Sequence, residues 1–112
     1  MIKEILTAAG VEHAQGHFIR KPADTYATYF DDVEVDGPDP VGSAMAGLPR
    51  ICTHNVTIEL YEPAPDDQAE HAIEAELDAR GHPWTKQDRY WLKDAQRYQV
   101  IYELTYHTKR RT

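Results

Sequence analysis

The chain is 112 residues long, which is enough for one domain with one hydrophobic core and excludes two-domain enzymes with a separate cofactor domain. Apolar residues make up 41% and charged residues 28%, a composition typical of a globular protein with a radius of gyration of about 13 Å. Lys and Arg number 12 against 19 Asp and Glu, so the net charge is −7, and such an acidic chain is a poor candidate for gripping nucleic acid.

The N-terminal part of the chain is predicted to form one short helix and two strands. Apolar residues at helical spacing predict a helix over residues 1–9, and Gly10 is suited to end it because glycine adopts left-handed dihedrals without a Cβ penalty. Residues 13–20 and residues 25–31 have strand composition, the second being rich in β-branched and aromatic side chains. Residues 21–24 between them have turn chemistry, so we expect an antiparallel hairpin.

The middle of the chain combines an aperiodic segment with the clearest predicted strand. Residues 36–50 contain six glycine and proline residues, and a loop of this length is usually functional or disordered. Over residues 51–61, apolar and polar side chains alternate with a period of two, which predicts one buried and one polar face. The polar face comprises Thr53, Asn55, Thr57, Glu59 and Tyr61.

The C-terminal part is predicted to contain a second helix and two further strands. Acidic N-cap residues and an apolar stripe predict a helix over residues 66–80. Residues 84–92 and residues 96–107 are typical of strands, and the basic residues 108–112 are expected to be a solvated tail. The order is therefore α-β-β-β-α-β-β, and it predicts a single α+β domain over residues 1–112 with two helices packed on one face of a mainly antiparallel sheet.

The sequence carries no recognisable signal for a cofactor, a metal ion or a membrane. Its one cysteine, Cys52, excludes an intrachain disulfide and indicates an intracellular origin. No apolar run approaches the roughly 20 residues that span a bilayer, and the N-terminus lacks the apolar region of a signal peptide. We therefore expect a soluble protein of the cytoplasm, with no membrane contact.

Catalytic motifs are also missing from the sequence, because neither a glycine-rich phosphate loop nor a nucleophile elbow occurs. Cys52 and His54 lie on one strand face at a separation of about 7 Å, so a nucleophilic pair is one interpretation. The favoured interpretation is a small buried cysteine beside a core histidine. The other histidines are scattered, and no set of them converges on a metal site.

Four stretches of the chain share their order with a known family. The N-terminal helix ending at Gly10 is followed by GHF at residues 16–18 and by TYATYF at residues 25–30. A strand ending in IELY at residues 58–61 leads into an acid-capped helix, and the last strand reads YQVIYE at residues 98–103. Over nearly its whole length, the chain thus resembles the tail-terminator proteins of siphophages and prophages, which are also called tail-completion or head–tail joining proteins.

This resemblance implies a structural protein that is not an enzyme and has no cofactor. Such a subunit acts in a ring, commonly a hexamer, that caps the tail tube, stops its polymerisation and joins the tail to the head. The implied partners are further copies of the chain, the tail tube protein and the head–tail connector proteins, while DNA passes through without specific binding. The implied location is the head–tail junction of the virion, after assembly in the cytoplasm of the bacterial host.

Two regions are candidate interfaces for these partners, because a ring needs heterologous contacts that both a polar strand face and a long loop can supply. The first is the polar face defined above. The second is the loop of residues 36–50, which could contact a neighbouring subunit or the tail tube. Its candidate contact residues are Pro38, Pro40, Val41, Met45 and Leu48.

Two alternatives to the tail-terminator function remain at this stage. One, within the same particle, is a head-completion or connector-side adaptor, which would bind the portal complex rather than the tail tube. The other belongs to a different class, a small ligand-binding domain or enzyme that uses Cys52, His54 and nearby tyrosines.

Overall fold

The structure, a computed structural model, describes residues 1–18, 22–35 and 49–111, and within them it has the predicted α+β fold. In chain order, the elements are α1 (Ile2–Ala9), β1 (Glu12–Gln15), β2 (Tyr26–Val35), β3 (Pro49–Glu62), α2 (Asp67–Ala79), β4 (Trp84–Lys86), β5 (Tyr90–Leu92) and β6 (Arg97–Arg111). The predicted order is confirmed, and the strand expected over residues 84–92 is present as the two short strands β4 and β5.

The two helices begin and end for the local reasons that the sequence suggests. Gly10 ends α1 with a φ of 75°, a left-handed conformation that a residue with a Cβ adopts only at a steric cost. Asp66 precedes α2 and its carboxylate accepts a hydrogen bond from the backbone N–H of Ala69 at 3.0 Å. A cap of this kind is worth about 1 kcal/mol because it satisfies a donor that the helix itself leaves unpaired.

The strands form one sheet in the order β1-β2-β3-β6-β4, with β5 also pairing with β6. The long central strand β3 is antiparallel to both β2 and β6, as predicted. The predicted antiparallel hairpin at the N-terminus is wrong, because β1 and β2 pair in parallel, with His13 opposite Ala27. At Gly16, where φ is 81°, the chain leaves β1, and by Tyr26 it has returned to the same end of the sheet.

Both helices pack on one face of the sheet, which we call the helix face, and the other face is the open face. The alternation predicted for β3 is observed, since Val56, Ile58 and Leu60 are buried on the helix face whereas Asn55 is exposed. The buried core comprises Ile2, Ile5, Leu6, Val11, Ala27, Val56, Ile58, Leu60, Ile73, Leu77, Val100, Tyr102 and Leu104. The core therefore occupies only the half of the sheet that the helices cover.

The other half of the sheet extends beyond the helices as a projection, which we call the arm. It consists of residues 31–35 of β2, residues 49–55 of β3 and residues 105–111 of β6. The arm gives the molecule dimensions of 55 × 28 × 22 Å and a radius of gyration of 17.0 Å, so the compact shape expected from the length is wrong.

Two boundaries predicted from the sequence are corrected in the arm. The loop expected over residues 36–50 ends earlier, because Pro49 and Arg50 belong to β3. The tail expected over residues 108–112 is strand as far as Arg111, which pairs with Pro49, while Arg50 pairs with Arg110. Backbone hydrogen bonds between strands do not depend on side-chain periodicity. The residues before Ile51 and the residues after Thr108 therefore form strands because each segment provides the hydrogen-bonding partner of the other.

Candidate partner interface

Five of the ten residues predicted to form a partner surface lie together on the open face of the sheet. Thr53, Asn55, Thr57, Glu59 and Tyr61 follow one another along β3, between β2 on one side and β6 on the other. Pro38, Pro40, Val41, Met45 and Leu48 lie outside the described residues. The open face is therefore the part of the predicted interface whose geometry can be described.

Near the covered half of the sheet, the open face is held together by its own hydrogen bonds. Tyr61 donates to Glu59, and the side-chain amide of Gln99 donates to Glu59 at 3.3 Å and to Tyr61 at 3.2 Å. Tyr90 from β5 donates to Gln99. Burial, reinforced by the bond to Glu59, raises the pKa of Tyr61 to about 12, so this hydroxyl remains a donor at neutral pH. Glu59 and Tyr61 thus have partners within the chain itself.

Towards the arm, the open face is more accessible and forms a shallow cleft of about 510 Å³ with both polar and apolar lining residues. Thr105 donates to the Asn55 side-chain oxygen at 3.1 Å, and the Thr53 hydroxyl lies 3.2 Å from His107 Nδ1. The cleft is also lined by Asp32, Thr57, Trp84 and Glu103. Exposed amide, hydroxyl, imidazole and carboxylate groups at this density favour recognition by hydrogen bonds.

The outer edge of β2 is an interface feature that the sequence reasoning missed. β1 covers this edge only as far as Tyr29, and no other described strand pairs with its outer side over residues 30–35. Three large apolar side chains stay exposed there, at 42% for Phe30, 48% for Val33 and 36% for Val35. The signal in the sequence was the continued apolar–polar alternation after residue 31. An uncovered edge of this kind can accept a further strand.

The outer edge of β6 is uncovered at the same end of the sheet. β4 pairs with β6 at residues 102–104, and no described strand lies beyond residues 105–111. The sequence of this strand end includes Lys109, Arg110 and Arg111, whereas the uncovered part of β2 includes Asp31, Asp32 and Glu34. The two free edges of the arm therefore differ in sign of charge.

On the helix face of the arm, one hydrogen-bonded constellation links all three strands. His54 Nδ1 lies 3.1 Å from both carboxylate oxygens of Asp31, and His54 Nε2 lies 2.9 Å from the Thr108 hydroxyl. The imidazole also stacks on Tyr106 with ring centroids 4.3 Å apart. An acid, a base and a hydroxyl in this order resemble a catalytic triad. Catalysis also needs an oxyanion-binding site and a substrate cleft. Thr108 lines neither the cleft on the open face nor the cleft between the two helices.

The proposed pairing of Cys52 with His54 is not the arrangement of these two side chains. Both nitrogens of His54 are engaged by Asp31 and Thr108, while Cys52 is buried. The Asp31–His54–Thr108 constellation therefore connects β2, β3 and β6 across the arm. We interpret it as the group that keeps the three strands in register at the base of the arm, where Tyr106 still packs against the core.

A charged cluster on the helix side connects α2 with the residues between β4 and β5. The fully buried Glu62 accepts a hydrogen bond from Arg89 Nε at 3.1 Å. The same guanidinium donates to Glu70 and to Asp67, and Lys86 lies 2.8 Å from Glu70. Two acidic groups that are nearly removed from water thus share one arginine.

The two buried carboxyl groups of this cluster are shifted in opposite directions. Burial, together with the neighbouring Glu70, raises the pKa of Glu62 above its ordinary value of 4.5. Burial acts in the same direction on Glu70, but hydrogen bonds with Glu62, Arg89 and Lys86 outweigh it and lower the pKa of Glu70. Glu62 therefore holds its proton to higher pH than an exposed glutamate does.

Replacing Glu62 with glutamine is expected to raise the free energy of unfolding at neutral pH. Because the pKa of Glu62 is raised in the folded state, this group makes its full contribution to stability below its ordinary pKa of 4.5. The contribution is lost as the pH rises through the raised value. Glutamine stays neutral and still accepts from Arg89, so the Glu62→Gln variant should gain about 1–2 kcal/mol at the alkaline end of that window. Urea unfolding at about pH 5 and about pH 8 measures the difference.

The matched control for this prediction is Glu103→Gln, which changes an exposed glutamate of the same sheet. This control should leave the pH dependence of unfolding unchanged. If Glu62→Gln and the wild type show parallel pH curves, Glu62 is already ionised in the folded state.

A second cleft, of about 530 Å³, lies between the end of α1 and the start of α2. One of its two carboxylates is already engaged in the fold, since Asp66 caps α2 and also accepts a hydrogen bond from Thr25 at 2.7 Å. Within the described residues, no group of three or more His, Cys, Asp and Glu side chains is placed to hold a metal ion. No helix in the described ranges is long and apolar enough to cross a membrane.

The chain was also compared with known proteins. Neither the comparison with protein families nor that with curated proteins finds a match.

Proposed function

We propose that this chain is a structural subunit of a phage or prophage tail, which caps the tail tube as a ring and joins the tail to the head. The sequence resemblance described above is one support for this proposal. The structural observation that carries it is the arm, in which the sheet extends beyond its core with both outer edges uncovered by described strands. An edge that no described strand covers can pair with another chain, which is the kind of contact that a subunit of an assembly needs.

A ring requires that each subunit present two different surfaces, one for each neighbour. The two edges of the arm meet this requirement because one is acidic and partly apolar and the other is basic. The cleft on the open face, around Asn55, remains as a third surface for the tail tube or the connector. A net charge of −7 also suits a ring through which DNA must move without being held.

The test is the deletion of this gene from a phage or prophage that carries it, followed by electron microscopy of the particles. The proposal predicts filled heads beside detached tails of abnormal length, because nothing stops the growth of the tube. Tails of normal length beside heads that cannot join would instead favour the adaptor on the head side. Normal, infectious virions would overturn both structural functions.

Complementation of the deletion separates the structural functions from an enzyme. A plasmid with the wild-type gene should restore joined particles, and so should one with Cys52→Ala, which removes only a small buried thiol. A Cys52→Ala protein that folds normally but fails to restore infectivity would favour the enzyme alternative.

A further inference from the structure

We propose that copies of this chain associate head to tail by strand addition, with the outer edge of β2 in one copy pairing in parallel with the outer edge of β6 in the next. The proposal deepens the proposed function by naming the contact between subunits. Its support is the backbone geometry of the two edges, their position at one end of the sheet and their opposite charges.

The hydrogen bonds at the covered part of each edge show which backbone groups point outwards. Gly16 N–H donates to the Tyr29 carbonyl at 2.9 Å, so Tyr29 presents its main chain to the outer side of β2. Because this direction alternates along a strand, Asp31, Val33 and Val35 also present N–H and C=O groups outwards. On the arm, no described strand receives these groups.

The same reasoning applies to β6. Gln87 N–H donates to the Ile101 carbonyl at 2.9 Å, which places the main chain of Ile101 on the outer side of that strand. By alternation, Thr105, His107 and Lys109 present their N–H and C=O groups outwards along the arm. Each edge thus offers a short row of backbone donors and acceptors, of similar length, with which no described strand pairs.

The direction of pairing follows from the topology. β2 and β6 are both antiparallel to β3, so they run in the same direction, and a neighbour that keeps this orientation adds in parallel. In a parallel ladder, a residue whose main chain points at the partner lies opposite one whose main chain points away. Val33, on the helix face, would therefore lie opposite Tyr106 or Thr108 of the neighbour, which are also on the helix face.

Antiparallel addition would not preserve the faces of the sheet. In an antiparallel ladder, Val33 would form a hydrogen-bonded pair with a residue such as His107 of the neighbour. Val33 lies on the helix face and His107 lies on the open face, so one copy would have to be turned over. Parallel addition keeps all helices on one side of a continuous sheet. Copies related by rotation about an axis along the strands can then close into a ring.

The charges of the two edges select this contact among the pairings that a bare edge would allow. Val35 of β2 and Thr108 of β6 are level along the strand axis, since both are opposite Cys52. In the register that sets Val33 opposite Thr108 of the neighbour, Glu34 of β2 is opposite Lys109 of β6. Pairing of two β2 edges would instead place like charges side by side, which is destabilising. The partner that fits each edge is therefore the other edge of a second copy.

The first test removes a backbone donor from the β2 edge. In Val33→Pro, the lost N–H is one that points away from β3, and proline is tolerated at such edge positions, so the monomer should still fold. We expect the wild type to be multimeric and Val33→Pro to be monomeric by size-exclusion chromatography with light scattering, with the same circular dichroism. The matched control Val33→Thr keeps the N–H and the β-branched shape and should remain multimeric. A wild type that is monomeric, or a folded Val33→Pro that keeps the wild-type mass, would overturn the proposal.

The second test exchanges the charges. Glu34→Lys reduces the acidic charge of the β2 edge, and Lys109→Glu reduces the basic charge of the β6 edge. Each variant alone should associate about tenfold more weakly than the wild type, and an equimolar mixture should recover most of the loss. A mixture that behaves as the sum of its two components would contradict edge-to-edge pairing.

The outcomes separate this inference from the proposed function. If wild-type multimers persist when the edges are altered, the subunits meet through another surface and the tail function is unaffected. If deletion of the gene leaves virions normal but Val33→Pro still produces monomers, the contact is real and the function is wrong.

Discussion

Replacing Arg89 with alanine is expected to lower the free energy of unfolding by about 3 kcal/mol, since removing one partner of a buried ion pair leaves uncompensated charge. Arg89 is the group that Glu62 and Glu70 share, and both of these carboxyl groups are almost completely removed from water. Without the guanidinium, the ionised Glu70 keeps only Lys86 as an ion-pair partner among the described residues, and the buried Glu62 carboxyl loses the hydrogen bond from Arg89 Nε. Urea unfolding monitored by circular dichroism measures the loss.

The matched control is Arg80→Ala, which removes an arginine that faces Glu76 across one turn at the end of α2 with an N···O distance of 3.7 Å. Because that pair is well exposed, the loss should be no more than about 0.5 kcal/mol. At about pH 8 the double variant Arg89→Ala with Glu62→Gln should recover part of the stability, since glutamine has no ionised form that burial disfavours. A loss below about 1 kcal/mol in Arg89→Ala would show that water reaches and screens the cluster.

The second large effect is expected at the centre of the sheet. Ile58 lies in the middle of β3, opposite Tyr102 of β6, and is fully buried beneath the helices. Truncation to alanine removes buried methyl groups and leaves a cavity in a core shared by three strands and two helices, so Ile58→Ala should cost about 2–5 kcal/mol. The shift of the urea midpoint at constant slope measures this cost.

The same strand supplies the control for this prediction. Ile51 lies in the arm on the open face and is 37% exposed, so Ile51→Ala should cost no more than about 1 kcal/mol. Equal losses at the two positions would mean that the arm is packed as tightly as the core. That result would also remove the distinction between a stable half of the sheet and a projecting half.

Much of the secondary structure was determined by local sequence signals. Gly10 could be identified as the end of α1 because left-handed dihedrals have a low cost only for glycine. The start of α2 could be placed at Asp66 or Asp67 because a carboxylate satisfies helix N–H groups within its own turn, and Asp66 is the residue that caps the helix. The period of two over residues 51–61 predicted which side of β3 is buried, and Val56 and Ile58 lie on that side.

The site itself was predictable only in part. The polar residues of β3, such as Asn55, could be placed on one face from their spacing alone, and they lie on the open face. That Glu59 and Tyr61 are engaged by Gln99 could not be predicted, because Gln99 belongs to a strand about forty residues later in the chain, where spacing carries no register. The same holds for Glu62 and Arg89, whose pairing depends on the packing of α2 against the sheet.

The sequence by itself therefore determined the element types, the helix ends and the faces of the central strand, since each depends on residues within one or two turns of chain. Only the tertiary structure decided the parallel pairing of β1 with β2, and the pairing of Pro49 and Arg50 with the end of β6. These contacts join backbones that are distant in sequence. The backbone groups that form them are the same in every residue type, except that proline lacks the N–H, so side-chain patterns do not reveal them. The arm and its two free edges, which carry the proposed contact between subunits, arise from pairings of this second kind.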